Sequence, residues 1–436
     1  MSATALAREA AEVHVDSQWS LARRVGFRFA FAYLILYNLP LPIGALPWTE
    51  SLQPAYDSIW HPLVAWVGRH ILSLQSEVAT RDTGSGDRTY DWILVLCYLT
   101  LAAVATLIWS AVDRKRFAYT KLDRWLRLYV RLALACWMIT YGGAKAIPSQ
   151  FTLPGFTRLL EPYGESSPMG LLWTFMGASP SYTILTGCVE LLAGVLLILP
   201  RTAMLGAIVS FASMTQVFLL NMCYDVPVKL FSFHLILMSL FLLLPNMRRL
   251  ANLFLLNRAV QPLTAQPFFR RTLLNRALVV FQIVFGISLL CAGLSRGYEG
   301  YMSYGAGAPR PPLYGIWSVE ELSINGELLP PMVTDQNRWR RAIFQRAGSL
   351  IVQPMSGANQ FYRLELSLDD KKMALTKPND PQWKSEFSFE DAEPGILTLE
   401  GQLEGKPARA KLVRDESQFL LKTRGFHWIS EAPFNR

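Results

Sequence analysis

Long apolar runs dominate the first two-thirds of the chain, and a different pattern takes over near residue 304. A helix needs about 20 mostly apolar residues to cross a hydrocarbon core about 30 Å thick. Trp92–Val112, Thr202–Tyr224 and Ala277–Ser295 approach or exceed that length without a charged side chain. Tyr182–Pro200 carries one carboxylate, Glu190, and Leu230–Asn246 carries one titratable group, His234. Phe29–Trp48 is apolar but interrupted by Pro40, Pro42 and Pro47, and Leu126–Lys145 holds Arg127, Arg131 and Lys145 at its ends. The pattern predicts an α-helical polytopic membrane bundle of about seven transmembrane helices over residues 25–296.

Residues 297–312 read as a linker, ending in Gly305-Ala-Gly-Ala-Pro-Arg-Pro-Pro312. From Leu313 the period of the apolar positions drops to two, as in half-buried strands. Strands are expected at Trp317–Ile324, Trp339–Arg346, Ser349–Met355, Tyr362–Asp369, Lys372–Thr376, Lys384–Phe389, Ile396–Leu403, Arg409–Arg414 and Gln418–Thr423. Turn signals such as Asn325-Gly326 and Glu404-Gly405 separate them. Many short strands at even spacing predict a C-terminal all-β antiparallel barrel over residues 313–436.

Composition agrees with a membrane chain. Of 436 residues, 51% are hydrophobic and only 17% charged, with a mean hydropathy of +0.22; soluble globular chains carry about 25% charged residues. The net charge of +9 would suit nucleic acid, but Lys and Arg cluster in short segments between apolar runs and no basic aqueous surface emerges, so no nucleic-acid partner is expected. Arg23, Arg24 and Arg28 precede the first span, six basic residues from Arg114 to Arg127 follow the second, and six from Arg248 to Arg276 follow the sixth. With seven crossings all three groups fall on one side. The N-terminal segment, residues 1–24, is therefore expected in the cytoplasm, and the barrel outside a plasma (inner) membrane. Glu9, Glu12 and Asp16 break up the N-terminus, which does not read as a cleavable signal peptide. Cys97, Cys136, Cys188, Cys223 and Cys291 lie in apolar stretches without CxxC spacing, which argues against a disulfide framework or a zinc site.

Two long outward loops are expected. Glu50–Asp91 holds an interfacial helix around Tyr56–Trp66 and then a flexible turn, Thr83–Asp87. Ile147–Ser181 contains an apolar stretch, Met169–Met176, with Trp173, suited to the interface or to a re-entrant segment.

Ionisable groups inside spans are costly and need partners. Lys145 closes Tyr141-Gly-Gly-Ala-Lys145, Glu190 sits mid-span, and Asp225 and Lys229 are four residues apart. Thr183, Thr186, Gly187, Glu190 and Gly194 share one helix stripe, the small-residue pattern of close packing. Lys145, Glu190, Asp225 and Lys229 are expected to form one connected polar network with a catalytic or proton-handling role. Tyr141, His234 and Trp173 are the candidate ligand contacts. The plain alternative is that Lys145 snorkels and that Asp225 and Lys229 form a local ion pair.

Three resemblances bear on function. Tyr182–Leu199, with Glu190 and Gly194, then Pro200-Arg201-Thr202, resembles the DoxX-like membrane family over Leu126–Leu250. That resemblance implies a membrane redox component linked to quinone or thiols. Tyr141-x-x-Ala-Lys145 is more weakly similar to the horizontally transferred transmembrane domain of γ-carboxylase, which implies Lys145 as a base in a lipid-modifying enzyme. Gly315-Ile-Trp317 resembles the G-x-W opening of lipocalins, which implies that Arg424 stacks on Trp317 at the barrel base. A non-enzymatic lipid- or partner-binding protein is the remaining expectation, with an extracytoplasmic protein as partner. No bound-cofactor motif is found, so in the redox reading that the DoxX-like resemblance implies, quinone or a soluble partner would have to carry the electrons.

Overall fold

The structure is a computed structural model that describes residues 18–46, 48–49, 51–262 and 267–435. Most of the expected cytoplasmic segment, together with Pro47, Glu50 and Arg436, lies outside the described residues. The chain divides into two compact units, residues 1–147 with 182–298 and residues 148–181 with 299–436.

The first unit is helical: α1 (Leu21–Asn38), α2 (Leu52–His70), α3 (Thr89–Val112) and α4 (Thr120–Ala146). The second unit contributes α5 (Phe156–Leu160) and α6 (Pro168–Ala178). Then come α7 (Pro180–Ile198), α8 (Ala203–Cys223), α9 (Lys229–Leu243), α10 (Met247–Phe254) and α11 (Thr272–Tyr304). Among the described residues, six helical segments are long and apolar enough to cross a membrane: Leu21–Ala45, Thr89–Val112, Pro180–Ile198, Ala203–Cys223, Lys229–Phe254 and Thr272–Tyr304. The protein is membrane-associated.

The expected count of seven meets six such segments because α4 departs from the apolar pattern. Its 27 residues would rise about 40 Å, so length is not the obstacle. Fourteen of them are buried, among them Arg131 and Lys145. A helix enclosed by other helices meets little lipid, so its charged side chains can face partners. Arg127 bonds Asp123 at 2.9 Å and the Phe241 carbonyl at 2.5 Å, and Arg131 bonds Gln282 of α11.

The first span also shifts toward the N-terminus. Helix α1 stops at Asn38 because Pro40 and Pro42 cannot donate to a continuing helix. It begins at Leu21, with the Arg23 N–H donating to Ser20 Oγ. Arg28 thereby falls inside the helix. Its guanidinium is buried and donates to the Tyr119 hydroxyl, Ser110 Oγ and the Asp113 carbonyl. Helix α2 covers the stretch expected to be helical around Tyr56–Trp66. It meets α3 near that helix's start, with Trp60 on Tyr98 and His61 on Tyr90.

The second unit is built on nine strands. They are β1 (Gly315–Ile324), β2 (Glu327–Leu328), β3 (Trp339–Phe344), β4 (Ser349–Pro354), β5 (Gln360–Ser367), β6 (Lys372–Lys377), β7 (Asp380–Glu393), β8 (Ile396–Leu403) and β9 (Lys406–Asp415). Their order is β2-β1-β3-β4-β5-β6-β7-β8-β9, every pairing is antiparallel, and β1 also pairs with β9. Eight strands therefore close into a barrel, with β2 a short arm on β1. Eight strands enclose a space that side chains can fill. Here Trp317, Leu322, Trp339, Phe344, Leu350, Val352, Phe387 and Leu412 belong to that packed core.

Four expectations change. Gln418–Thr423 is not a ninth barrel strand but ends in a helical turn, α12 (Leu420–Thr423). By Asp415 the β1–β9 seam is already closed, so no free edge is left to extend. The basic residue beside Trp317 is Arg414, its register partner across that seam, not Arg424. Arg424 is exposed and stacks on Phe434. The expected linker is shorter, because α11 continues to Tyr304. The Ile147–Ser181 loop falls largely in the barrel unit: Phe156 N–H donates to Gln345 Oε1 at 2.6 Å, and Trp173 packs on Phe151 at 5.1 Å.

One buried charge pins the barrel. Arg338, fully buried, donates to the carbonyls of Leu329, Val319, Trp339 and Glu320. Each carbonyl left unpaired in a buried setting costs about 1–3 kcal/mol. Arg338→Leu should lower the stability of the β unit by at least about 2 kcal/mol, seen as earlier loss of the β-sheet circular-dichroism signal. Arg340→Leu, at an exposed position two residues on in β3, should leave that transition unchanged.

Candidate functional site

Helix α4 carries adjacent glycines, Gly142 and Gly143, that meet two different neighbours. A Cβ on Gly142 would stand 2.6 Å from the Leu191 amide nitrogen of α7. A Cβ on Gly143 would stand 2.9 Å from the Gly293 carbonyl oxygen of α11. From the other side, a Cβ on Gly187 would meet the Lys145 carbonyl carbon at 2.7 Å. Only hydrogen fits at such distances, so the helices touch backbone to backbone.

This contact brings Lys145 to Glu190. The Lys145 ammonium donates to both carboxylate oxygens, at 2.8 and 2.7 Å. Glu190 is 3% exposed and Lys145 is also buried. Thr183, Gly187 and Gly194 share the buried stripe with Glu190, and Thr186 is half-buried beside them. An ammonium held by both oxygens of a carboxylate is a paired cation, not a free base.

Asp225 and Lys229 belong elsewhere. Lys229 Nζ bonds Asp225 at 2.8 Å, and Asp225 is exposed. The group they join is Asp87, which no sequence pattern singles out. Its carboxylate accepts from the backbone N–H of Lys229 and of Leu230, both at 2.9 Å, and lies 3.8 Å from Lys229 Nζ. Asp87 thus caps the positive end of α9 from a distant loop. The Thr83–Asp87 turn is accordingly fastened, and the Gly86 N–H also donates to the Pro227 carbonyl at 2.7 Å. Among the described residues the four expected site charges form two separate groups rather than one network. The reason is that each pair is satisfied locally.

A cavity of about 1020 Å³ lies in the helical unit. Its walls include Tyr37, Trp60, Tyr98, Trp137, Tyr141 and Phe231, and its rim Asp82, Gly84, Ser85 and Gly86. The Phe231 ring meets Trp137 at 4.8 Å and Tyr141 at 5.6 Å. Asp91 also borders it, neutralised by Arg88 through a two-pronged ion pair that raises the Arg88 pKa further. Tyr141, expected as a ligand contact, lines this space. Lys145, Glu190, Asp225 and Lys229 are not among its described lining residues, and Trp173 lies in the other unit. His234 stands one layer behind. Its ring stacks on Tyr37 at 4.0 Å, its Nε2 meets the Tyr33 hydroxyl at 2.5 Å, and its Nδ1 faces the Leu230 carbonyl at 2.6 Å. A carbonyl can only accept, so Nδ1 carries the proton and Nε2 accepts from Tyr33. No group of three or more His, Cys, Asp or Glu able to hold a metal ion occurs among the described residues.

No family profile and no solved structure matches this chain. A curated relative does: the uncharacterized protein YwoB of Bacillus subtilis (strain 168) is 35% identical over 133 residues, 28% of this chain and 79% of YwoB.

Removing one partner of a buried pair leaves an uncompensated charge at a cost of about 3–5 kcal/mol. Lys145→Met and Glu190→Leu should each destabilise the helical unit by that order, and the double variant should recover most of the loss. Thermal unfolding of the four proteins in detergent measures the coupling. Equal stability of all four would show that the pair holds nothing together.

Proposed function

We propose that this chain, which belongs to the family of the Bacillus subtilis protein YwoB, is an integral membrane protein that takes an amphipathic, quinone-class molecule into the cavity of its helical unit. The observation that carries this reading is the cavity itself. Its volume of about 1020 Å³ is at the upper end of the range for small-molecule sites, about 300–1000 Å³. Its walls are rich in aromatic side chains, and polar groups, among them Gln53, Asp57, Thr140 and Arg296, share the lining, as an amphipathic molecule would need. The resemblance of Tyr182–Leu199 to the DoxX-like family supports a redox role, in which His234, stacked on the wall residue Tyr37 and bonded to Tyr33, serves proton transfer. The barrel is a less suitable ligand site, because its interior is filled with side chains. Lys145 as a carboxylase-like base has less support than Lys145 as a structural cation, given its bond to Glu190.

Orientation is part of the proposal. If α4 crosses with the six apolar segments, the crossings number seven. The basic segments around Arg114–Arg127 and Arg248–Arg276 then lie in the cytoplasm with the N-terminus. The barrel lies outside the plasma membrane. There its C-terminal tail, with Trp428 91% exposed beside Phe426 and Ile429, offers an apolar surface to an extracytoplasmic protein partner. Alkaline phosphatase fused after Phe434 should be active in intact cells, and a fusion ahead of Leu21 inactive. Activity at both ends would refute seven crossings.

Organic extraction of the purified protein, followed by mass spectrometry, should yield a quinone or related lipid in near-stoichiometric amount. Ala292→Trp places an indole in the cavity wall and should remove that ligand while the protein still folds. Val280→Trp, at an exposed position on the same helix, should keep it. Retention of the ligand by Ala292→Trp would place the ligand outside the cavity and sink the reading.

A further inference from the structure

The basic segments of the helical unit meet at one end of it. Arg24, at the start of α1, donates to the Arg116 carbonyl after α3 at 3.0 Å. Arg124, near the start of α4, donates to the Pro267 carbonyl ahead of α11 at 2.9 Å and lies over the Phe268 ring. Trp125 packs on Phe268 at 4.9 Å. Stretches far apart in sequence are thereby joined. The richest of them runs from Met247 to Arg276 and carries Arg248, Arg249, Arg258, Arg270, Arg271 and Arg276. No Asp or Glu occurs between Asp225 and Glu299. Among the described residues, none of these six arginines takes part in an ion pair. Arg249 donates to the Gln261 carbonyl, which carries no charge to offset its own.

Helix α10 belongs to this end and follows α9 after one tight turn, Leu244–Asn246. Helical spacing puts Met247, Leu250, Ala251 and Phe254 on one side, and Arg248, Arg249 and Asn252 on the other. Leu250 packs on the helical core, but Phe254 is 70% exposed and the next residue, Leu255, 81%. A nucleic acid or free phosphate would pair with the arginines and leave those apolar side chains in water. A lipid head-group layer meets both, because it sets phosphate beside the acyl boundary. Every basic residue from 247 to 276 is arginine, whose planar fork matches a phosphate better than an ammonium does. We propose that this end of the helical unit recognises anionic phospholipid. Helix α10 sits at the head-group layer, with Phe254 and Leu255 among acyl chains and Arg248, Arg249 and Arg258 on lipid phosphates. This depends neither on what the cavity holds nor on which compartment this end faces. A zwitterionic lipid offers the same phosphate, but its own ammonium offsets the charge. Arginines without neighbouring carboxylates therefore select a lipid of net negative charge.

The test titrates the full chain in detergent micelles with dioleoyl phosphatidylglycerol or dioleoyl phosphatidylcholine, read by native mass spectrometry. A basic residue near an anionic surface contributes about fivefold, equivalent to about 1 kcal/mol. Phosphatidylglycerol should therefore bind at least about tenfold more tightly than phosphatidylcholine. The variant R248Q/R249Q/R258Q should weaken phosphatidylglycerol on the order of a hundredfold and leave phosphatidylcholine unchanged. R346Q/R363Q/K384Q removes the same charge from exposed positions of the barrel unit and should change neither. Hydrogen exchange over residues 247–256 should slow when phosphatidylglycerol binds and not when phosphatidylcholine does. If R248Q/R249Q/R258Q does not fold, the unsubstituted protein decides by that exchange and by salt. Its preference should shrink between about 0.1 and 1 M salt, as the Debye length falls from about 10 to 3 Å. Equal affinity for the two lipids, a preference that R248Q/R249Q/R258Q keeps, an equal loss in the barrel variant, or no slowing of exchange in α10 would overturn the proposal. Displacement of the lipid by millimolar inorganic phosphate or by duplex DNA would assign the surface to that ligand and overturn it as well.

Discussion

The helical unit depends on backbone-to-backbone contact around α4. Gly142 against α7 and Gly143 against α11 let three helices approach to distances that any side chain would block. Within lipid there is little hydrophobic drive between helices, so such close packing and the polar contacts it permits carry the association. The Lys145–Glu190 pair is a consequence. The Gly187 contact with the Lys145 backbone brings the two side chains together, and the same closeness excludes lipid from them.

Enclosure also explains why α4 looks unlike its neighbours in sequence. A helix facing lipid must be apolar, as α3 and α9 are. A helix facing helices is released from that rule and can carry Arg127, Arg131 and Lys145, each with a partner. Composition therefore sets α4 apart from the six apolar segments, although it is the helix whose glycines make the closest contacts. Arg28 follows the same logic. It reads as one of three topology charges, yet its guanidinium is buried among Ser110, Asp113 and Tyr119, where it ties α1 to the turn after α3.

Much of the architecture was legible in the pattern of residues. Trp92–Val112 and Thr202–Tyr224 differ from α3 and α8 by three residues or fewer at an end, and Ile396–Leu403 coincides with β8. These elements are set by local periodicity, which a single chain displays. The stripe of Gly187, Glu190 and Gly194 was legible for the same reason, since helical spacing alone puts those residues on one face. What the chain could not display were distant pairings. Glu190 could be seen to need a partner, but its exclusive pairing with Lys145 depends on a helix crossing 45 residues away. Asp87 gave no signal, because its role exists only once α9 is placed beside its loop. The Trp317 partner was misassigned to Arg424 because barrel closure, which sets Arg414 opposite Trp317, is a property of the whole sheet.

The charges first grouped as one reactive cluster thus divide by task. Lys145 and Glu190 hold helices together, whereas Asp87 and Lys229 hold a loop. That loop is the cavity's rim: Asp82, Gly84, Ser85 and Gly86 border the opening, and Asp87 fastens the next residue to the start of α9. A carboxylate on two free N–H groups at a helix start combines hydrogen bonding with the helix dipole, a stronger tie than an exposed ion pair such as Asp225 with Lys229 offers alone. The aromatic wall behind the rim comes from four other helices as well as α9, with Tyr37 on α1, Trp60 on α2, Tyr98 on α3 and Tyr141 on α4. The shape presented to a ligand is therefore fixed by interactions that never touch it.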